Sequence, residues 1–490
     1  MLPWFKALRV LKLCNENIEE LPSSIGKLKH LRYLDISFTE IKRLPNSIGK
    51  LYNLQTLRAT YCGLEEFPKD VQNLINLRYV YCDEGTKFPV GVLGRLTSLR
   101  KLPCSYEDYK VMGREIEELA VLNQLKGKLI ICNLEHVRIG DEARKAKLKD
   151  KKNVCHFLFK WTKNRSTTNN NEEDVLEGLQ PHSELERLEI RYFMGTEFPS
   201  WMIKLDNLKQ IRLKGCNRCE KVPTLGHLPH LTVVWIQGCC GLQSIPDLNL
   251  FTSLRELSIE SCDRLESLVV VVYNLNLFTS LLELSIESCD RLESLVSSGP
   301  INVELLNITS CSGLQSIPDL NLFTSLRKLS IAYCYRLESL VSSGPVNVVE
   351  LLNITGCSSL QSIPDLNLFT SLRKLSIKSC DRLESLVSSG PVYVVELLNI
   401  IGCDGLQSIP DLNLFTSLYE LSIESCDRLE SLVSSGPINV ELLNIIAMQR
   451  LIKLRALDIW QCPLLKERCT KDSGPEWPKI SHIPHIDVYD

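Results

Sequence analysis

Long hydrophobic runs are missing from this sequence: no window approaches the 18 apolar residues that a membrane-spanning helix needs. The opening "MLPWFKALRVLKLCNENIEELP" carries a charge every few positions and holds no uninterrupted apolar stretch of signal-peptide length, so a soluble, cytoplasmic chain is expected. An excess of one charge is missing too. The 56 basic and 59 acidic side chains leave a formal charge of −3, which exerts no long-range pull on nucleic acid or an anionic membrane. Partners are therefore expected to be proteins chosen by local surface, with no nucleic acid and no membrane insertion.

Cysteine is too sparse for a small disulfide scaffold, with 20 in 490 residues, and reduced thiols are expected. The sequons at Asn164, Asn307 and Asn353 argue the other way, toward export. Catalytic motifs are absent. No G-x-x-x-x-G-K-[ST] phosphate loop occurs, and none of the eight histidines sits in an H-E-x-x-H or beside a G-x-S-x-G. No enzyme, no cofactor and no metal are expected. His227-x-x-His230 is read as packing between strands. A zinc site from Cys216, Cys219, Cys239 and Cys240 is disfavoured, because Cys216 and Cys239 already belong to a recurring series.

What is present is repetition. The unit is L-x-x-L-x-L/I-x-x-C/T, then an apolar residue and often L/I/F-P, as in "LRVLKLCNENIEELP" and "LQTLRATYCGLEEFP". Its first position recurs at Leu8, Leu31, Leu54 and Leu77, then at Leu185, Leu208, Leu231 and Leu254, and from Leu281 through Val303, Leu326, Val349, Leu372, Val395, Leu418 and Val440. Steps of 22 or 23 residues lie within the range of leucine-rich repeats, each of which adds one short strand to a shared parallel sheet. The expected fold is an α/β solenoid, a leucine-rich-repeat horseshoe with a parallel concave β-sheet and mostly irregular convex arcs. Its stability would be a sum over stacked neighbours.

The cysteine eight places after the first leucine returns from Cys62 to Cys462 and is expected to stack as a buried ladder. Four stretches follow. They are N-terminal repeats over 1–103, an irregular part with a helix and a polar loop over 104–184, C-terminal repeats over 185–465, and a capping tail over 466–490 that abandons the repeat. In the irregular part, 127–137 and 153–161 read as strands joined by the charged, helix-forming "GDEARKAKLKDKK", with Ala143, Ala146 and Leu148 on one side. Lys145 to Lys152 are read as a solvated helix face, and 162–174 as a mobile loop. In the C-terminal half the true period is about 46 residues, a pair of units, and the 27-residue step at 265–280 is the expected site of distortion.

"IEELPSSIGKLKHLRYLDISFTEIKRLPNSIGKLYNLQTL", the middle segment "GKLIICNLEHV" with "DEARKAKLKDKKNVCHFLFKW", and "VLEGLQPHSELERLEIRYFMGTEFPSWM" carry a resemblance. They resemble the leucine-rich-repeat domain of plant coiled-coil, nucleotide-binding disease-resistance proteins. The resemblance implies a module that recognises a pathogen effector or a guarded host protein. It also implies docking on the nucleotide-binding domain of the same receptor, whose switch the repeats help to regulate in defence. The chain begins where such repeats begin, so the signalling and nucleotide-binding domains are expected to be missing, and nucleotide would enter only through that missing domain. The alternatives are an extracellular repeat-receptor fragment, a non-signalling remnant of a receptor and an F-box-like adaptor. The "L-x-G-x-I-P" phrase of surface receptors is absent, and no F-box is expected before the repeats.

Alternation along each strand assigns the candidate protein-binding face: Tyr33, Asp35, Arg58, Tyr79 and Tyr81 early; Arg187, Arg191, Arg212, Lys214 and Trp235 in the middle; Lys328, Lys374, Lys378 and Trp460 late. Trp235 beside Arg212 and Lys214 is the leading local candidate. In the doubled repeats the outward positions alternate between charge and leucine, with Leu305, Leu351, Leu397 and Leu442 on one row above Asn307, Asn353, Asn399 and Asn444.

Overall fold

The computed structural model describes residues 7–83, 86–102, 110–163, 165, 171–223, 225–245, 253–269, 281–296, 300–410, 414–429, 456–475, 477–481 and 483–489. The chain forms two compact units, one of Met1–Cys219 with Leu228–Leu231, the other of Glu220–His227 with Thr232–Asp490.

In the first unit the L-x-L letters become the strands Val10–Lys12, Tyr33–Asp35, Thr56–Ala59 and Tyr79–Cys82. They pair in parallel, each residue facing the one 23 places on, as in Tyr33↔Thr56 and Thr56↔Tyr79. The Leu-Pro punctuation explains the arcs. Pro22, Pro45 and Pro68 stand at φ −65°, −69° and −68° just before the 3-10 turns Ser23–Lys27, Asn46–Lys50 and Lys69–Asn73, which bury Ile25, Ile48 and Val71. A fixed proline φ pre-sets such a turn, and the missing N–H costs nothing at its first position. Gly49 lets successive arcs touch, since a Cβ there would meet the Asp70 carbonyl oxygen at 2.3 Å.

A second parallel run in this unit takes in Lys110–Met112, Gly127–Cys132, Val154–Lys160, Arg187–Arg191 and Gln210–Lys214. The expected helix is present but short: Gly140–Arg144 is α-helical and Leu148–Asp150 a 3-10 turn, with Ala143, Ala146 and Leu148 buried. A second helix, Glu172–Gly178, packs against the first through glycines, because a Cβ on Gly178 would meet the Gly140 oxygen at 2.4 Å. Part of the polar loop at 162–174 lies outside the described residues, yet its end is ordered. Glu172 is buried, bonded to Arg165 and accepting the Met194 N–H at 2.9 Å. Lys151 is likewise no solvated side chain. It is fully buried and donates from Nζ to Asn123 Oδ1 at 2.6 Å and to the Ala120 oxygen at 3.2 Å.

The second unit is built on parallel strands from Val233–Gln237 to His485–Tyr489. Between Leu305–Thr309 and Glu420–Glu424 most strands bury their second and fourth residues and half-expose the rest, the pattern of a sheet with one core face. Leu329, Ile331, Leu337 and Leu340 are all buried, and their counterparts repeat in each unit. Each such side chain contributes roughly 1.5–3 kcal/mol relative to exposure. The letters "DLNLF" have a separate task. Asp319 and Asp365 accept from the N–H of Asn321 and Asn367 in their own turn and from Ser343 and Ser389 in the next rung, tying arc to arc.

The cysteine ladder forms as expected. Cys262, Cys289, Cys311, Cys334, Cys357, Cys380, Cys403, Cys426 and Cys462 are buried free thiols. Each Sγ lies 3.2–3.7 Å from the carbonyl two residues before it, so the chain's own backbone satisfies the thiol where strand turns into arc.

Two expectations change, and a third falls outside the described residues. The 27-residue step leaves the strands in register, with Glu256↔Glu283 through Glu260↔Glu287 all paired; residues 270–280 lie outside the described residues. Glu420–Glu424 pairs directly with Ala456–Trp460, and the unit expected at Val440, with Leu442 and Asn444, lies outside the described residues. The tail does not abandon the repeat. After the helices Pro463–Cys469 and Trp477–Ile480, His485–Tyr489 adds another parallel strand, pairing His485↔Ala456 and Tyr489↔Trp460.

Candidate protein-binding face

The first four strands bring Tyr33, Asp35, Arg58, Tyr79 and Tyr81 onto one face, but Asp35 is not available there. It is 7% exposed. Its Oδ1 accepts the Ser37 N–H at 3.0 Å, its Oδ2 accepts the Tyr33 hydroxyl at 3.1 Å, and Arg58 approaches to 3.9 Å. A short carboxylate that closes the turn after its own strand is drawn inward. Around it the half-exposed groups stack: Arg58 lies over the Tyr81 ring at 5.3 Å, and Lys12 over Tyr33 at 5.9 Å. Burial and the adjacent Asp35 carboxylate raise the Tyr33 phenol, while the Arg100 hydrogen bond lowers that of Tyr79.

The middle of the first unit is basic. Parallel register sets Lys128, His156, Arg187 and Gln210 in one row, Ile130, Leu158, Glu189 and Arg212 in the next, and Lys160, Arg191 and Lys214 in the third. Ile130, Cys132 and Leu158 form a buried apolar cluster among them. Glu189, 5% exposed, accepts from Arg191 Nε at 2.6 Å and lies 3.8 Å from His156. Burial and then the charge of Lys128 push His156 down to about 4, further helped by Arg187 and Arg212 against the pull of Glu189.

Trp235 belongs to the second unit, whereas Arg212 and Lys214 belong to the first. The Trp235 indole is half-buried and donates to Glu256 Oε1 at 2.5 Å on the neighbouring strand, and Gln237 likewise donates to Glu260 at 2.7 Å. Further along, Lys374 and Trp460 are exposed and Lys328 and Lys378 half-exposed. The doubled repeat is visible in the ladder, where Leu305, Lys328, Leu351, Lys374, Leu397 and Glu420 are successive partners on one row. Beside them run Asn307, Ser330, Asn353, Ser376, Asn399 and Ser422. The sequon residues Asn307 and Asn353 are thus mid-strand, and Asn164 lies outside the described residues.

Sequence reasoning missed Glu189, His156 and Lys128 as members of the basic face, although their register with Arg187 and Arg212 would have placed them there. Of the thiols weighed and disfavoured as a zinc site, Cys216 Sγ faces the Lys214 oxygen at 3.8 Å and Cys219 Sγ the Gly195 oxygen at 3.2 Å. Among the described residues no group of three His, Cys, Asp or Glu side chains is placed to hold a metal, and no helix is long and apolar enough to cross a membrane.

Comparison with known proteins agrees with this architecture. Residues 116–239 match the family described as R13L1/DRL21 LRRs, and residues 6–64 match the leucine-rich repeat family. RGA1 of Solanum bulbocastanum, a protein named for disease resistance, is 44% identical over 237 residues, covering 47% of this chain and 24% of RGA1. A disease-resistance-named RPP13-like protein of Arabidopsis thaliana is 36% identical over 129 residues, covering 24% of this chain and 12% of its own length. The matched region thus spans about a quarter or less of these relatives. An internalin from Listeria monocytogenes overlaps 83% of this chain and 87% of its own at 12% identity with a TM-score of 0.35, a likeness too slight to carry more. The parallel ladder and its repeat make the described residues a leucine-rich-repeat fold, similar to the leucine-rich-repeat regions of plant proteins named for disease resistance.

Proposed function

We propose that this chain is the protein-binding module of a plant intracellular immune receptor, recognising a pathogen effector or a guarded host protein and regulating the receptor's nucleotide-dependent switch. The observation that carries this reading is the division of labour along the repeats. Interior letters are held constant from rung to rung, as in Leu329, Leu375 and Leu421, whereas the outward letters change from Lys328 and Lys374 to Glu420. A scaffold that only stacks has no need of such variation, and a row of differing charged and apolar side chains is what a partner reads. Binding rather than catalysis is its output, and the cytoplasm is where a receptor of this kind acts.

A domain exchange tests the proposal. The chain replaces the corresponding repeats of an RGA1-type resistance protein, and the chimera is expressed in leaves and challenged with a panel of pathogen effectors. Transfer of an effector response that the parent lacks supports the proposal; a chimera that keeps the parent's response unchanged contradicts it.

A further inference from the structure

The densest unexplained feature is the basic face of the first unit. On the outward rows of Gly127–Cys132, Val154–Lys160, Arg187–Arg191 and Gln210–Lys214 stand six cations: Lys128, Lys160, Arg187, Arg191, Arg212 and Lys214. Lys160, Arg191 and Lys214 are successive partners in register, an arrangement that like-charge repulsion disfavours. The one carboxylate on these rows is Glu189, buried and held by Arg191 at 2.6 Å. The chain as a whole is slightly acidic, so this concentration is local.

We propose that this face is a docking site for an acidic polypeptide segment, whose carboxylates are taken by the guanidinium and ammonium groups of the three strands Val154–Lys160, Arg187–Arg191 and Gln210–Lys214. The inference rests on the protein-binding reading above and narrows the partner to a chemical class. Three arginines supply the planar forks that bind carboxylates in pairs. The half-buried Lys160, Arg191 and Lys214 are held on strands, so less freedom is lost on binding than for surface side chains on loops. Single-stranded nucleic acid fits less well. Its sequence-tolerant binding uses aromatic rings as stacking platforms, and these rows carry no Phe, Tyr or Trp.

The test uses the intact chain and a fluorescein-labelled peptide rich in Glu and Asp, followed by anisotropy at graded NaCl. The wild type is expected to bind with an affinity that falls as salt rises. Arg187→Glu with Lys214→Glu weakens binding about tenfold or more, while Lys50→Glu with Lys69→Glu, exposed cations on the arcs of the first unit, leaves it unchanged. Arg187→Gln with Lys214→Gln, a milder change, weakens it less and guards against loss of fold, which circular dichroism monitors. Absence of binding at low salt, equal losses from both pairs of reversals, or tighter binding of labelled oligothymidylate than of the peptide would each overturn the proposal. If the chimera transfers recognition while the peptide stays unbound, this inference falls and the wider reading stands; the converse separates them the other way.

Discussion

The backbone N–H of Cys426 donates to Sγ of Cys462 at 3.1 Å, and Cys462 Sγ lies 3.2 Å from the Trp460 oxygen. One buried thiol therefore joins two rungs. Cys462→Ala leaves the Cys426 N–H without its acceptor and opens a small void, a loss of about 1–3 kcal/mol. Cys462→Ser keeps a donor and an acceptor at the site and costs less. Urea unfolding of the two variants measures the difference; equal losses would mean that the thiol acts only by filling space.

The ladder also sets a pH dependence. Hydrogen bonding to the Cys262 thiol, with burial, pushes Cys289 up to about 12, and hydrogen bonding to Cys289, with burial, raises Cys311. In the unfolded chain these thiols ionise near roughly 8.5. Above that the folded state binds more protons than the unfolded one, so the stability they contribute is full below about pH 8.5 and is lost as pH rises toward the folded value. Melting curves from neutral to alkaline pH should fall, and Cys289→Ser should flatten the decline.

Lys151 titrates with the opposite sign. Burial lowers it to about 8, against roughly 10.4 unfolded. Between those values the unfolded state holds the extra proton, so this group adds stability as pH rises. The difference between the wild type and Lys151→Met should move in the wild type's favour by up to about 3 kcal/mol across that window. A pH-independent difference would show that the ammonium is solvated in the folded protein.

Asp35 is a fold residue. Removing its carboxylate in Asp35→Ala strands the Ser37 N–H and frees the Tyr33 hydroxyl and Arg58, at a cost of about 1–3 kcal/mol. Asp35→Asn, which still accepts from Ser37, recovers part of this. Chemical denaturation of both variants checks the order.

Thiol accessibility follows burial. Cys155 is exposed, Cys14 and Cys240 are partly so, and the ladder thiols are buried. Brief alkylation of the native protein at neutral pH, read by peptide mass spectrometry, should modify Cys155 first and the ladder only after denaturation. Early labelling at Cys357 or Cys380 would contradict the stacking.

The repeat was legible because each leucine solves the same local problem, so Leu329 in one rung predicts Leu352 in the next and Leu375 in the one after. What escaped was set by partners distant in sequence or by a local bond. The partners of Lys151, Asn123 and Ala120, stand 28 and 31 residues before it. Asp35 turns inward for a bond to a residue two places on, which no alternation rule contains. The last strand, His485–Tyr489, has no leucine, and its place in the ladder comes from pairing with Ala456–Trp460. For the candidate face, strand alternation placed the side chains but gave no neighbours, so the buried Glu189 within the basic rows became visible only through register.

The central claim is that outward letters carry recognition while interior ones carry the fold. The most direct measurement co-expresses the chain in leaves with the nucleotide-binding region of an RGA1-type protein and quantifies co-precipitation for outward and interior variants of equal stability. Arg187→Glu with Lys214→Glu should abolish capture, whereas Leu375→Ile, which alters only the interior, should leave it intact. Capture lost equally with both, or kept with both, would contradict the account.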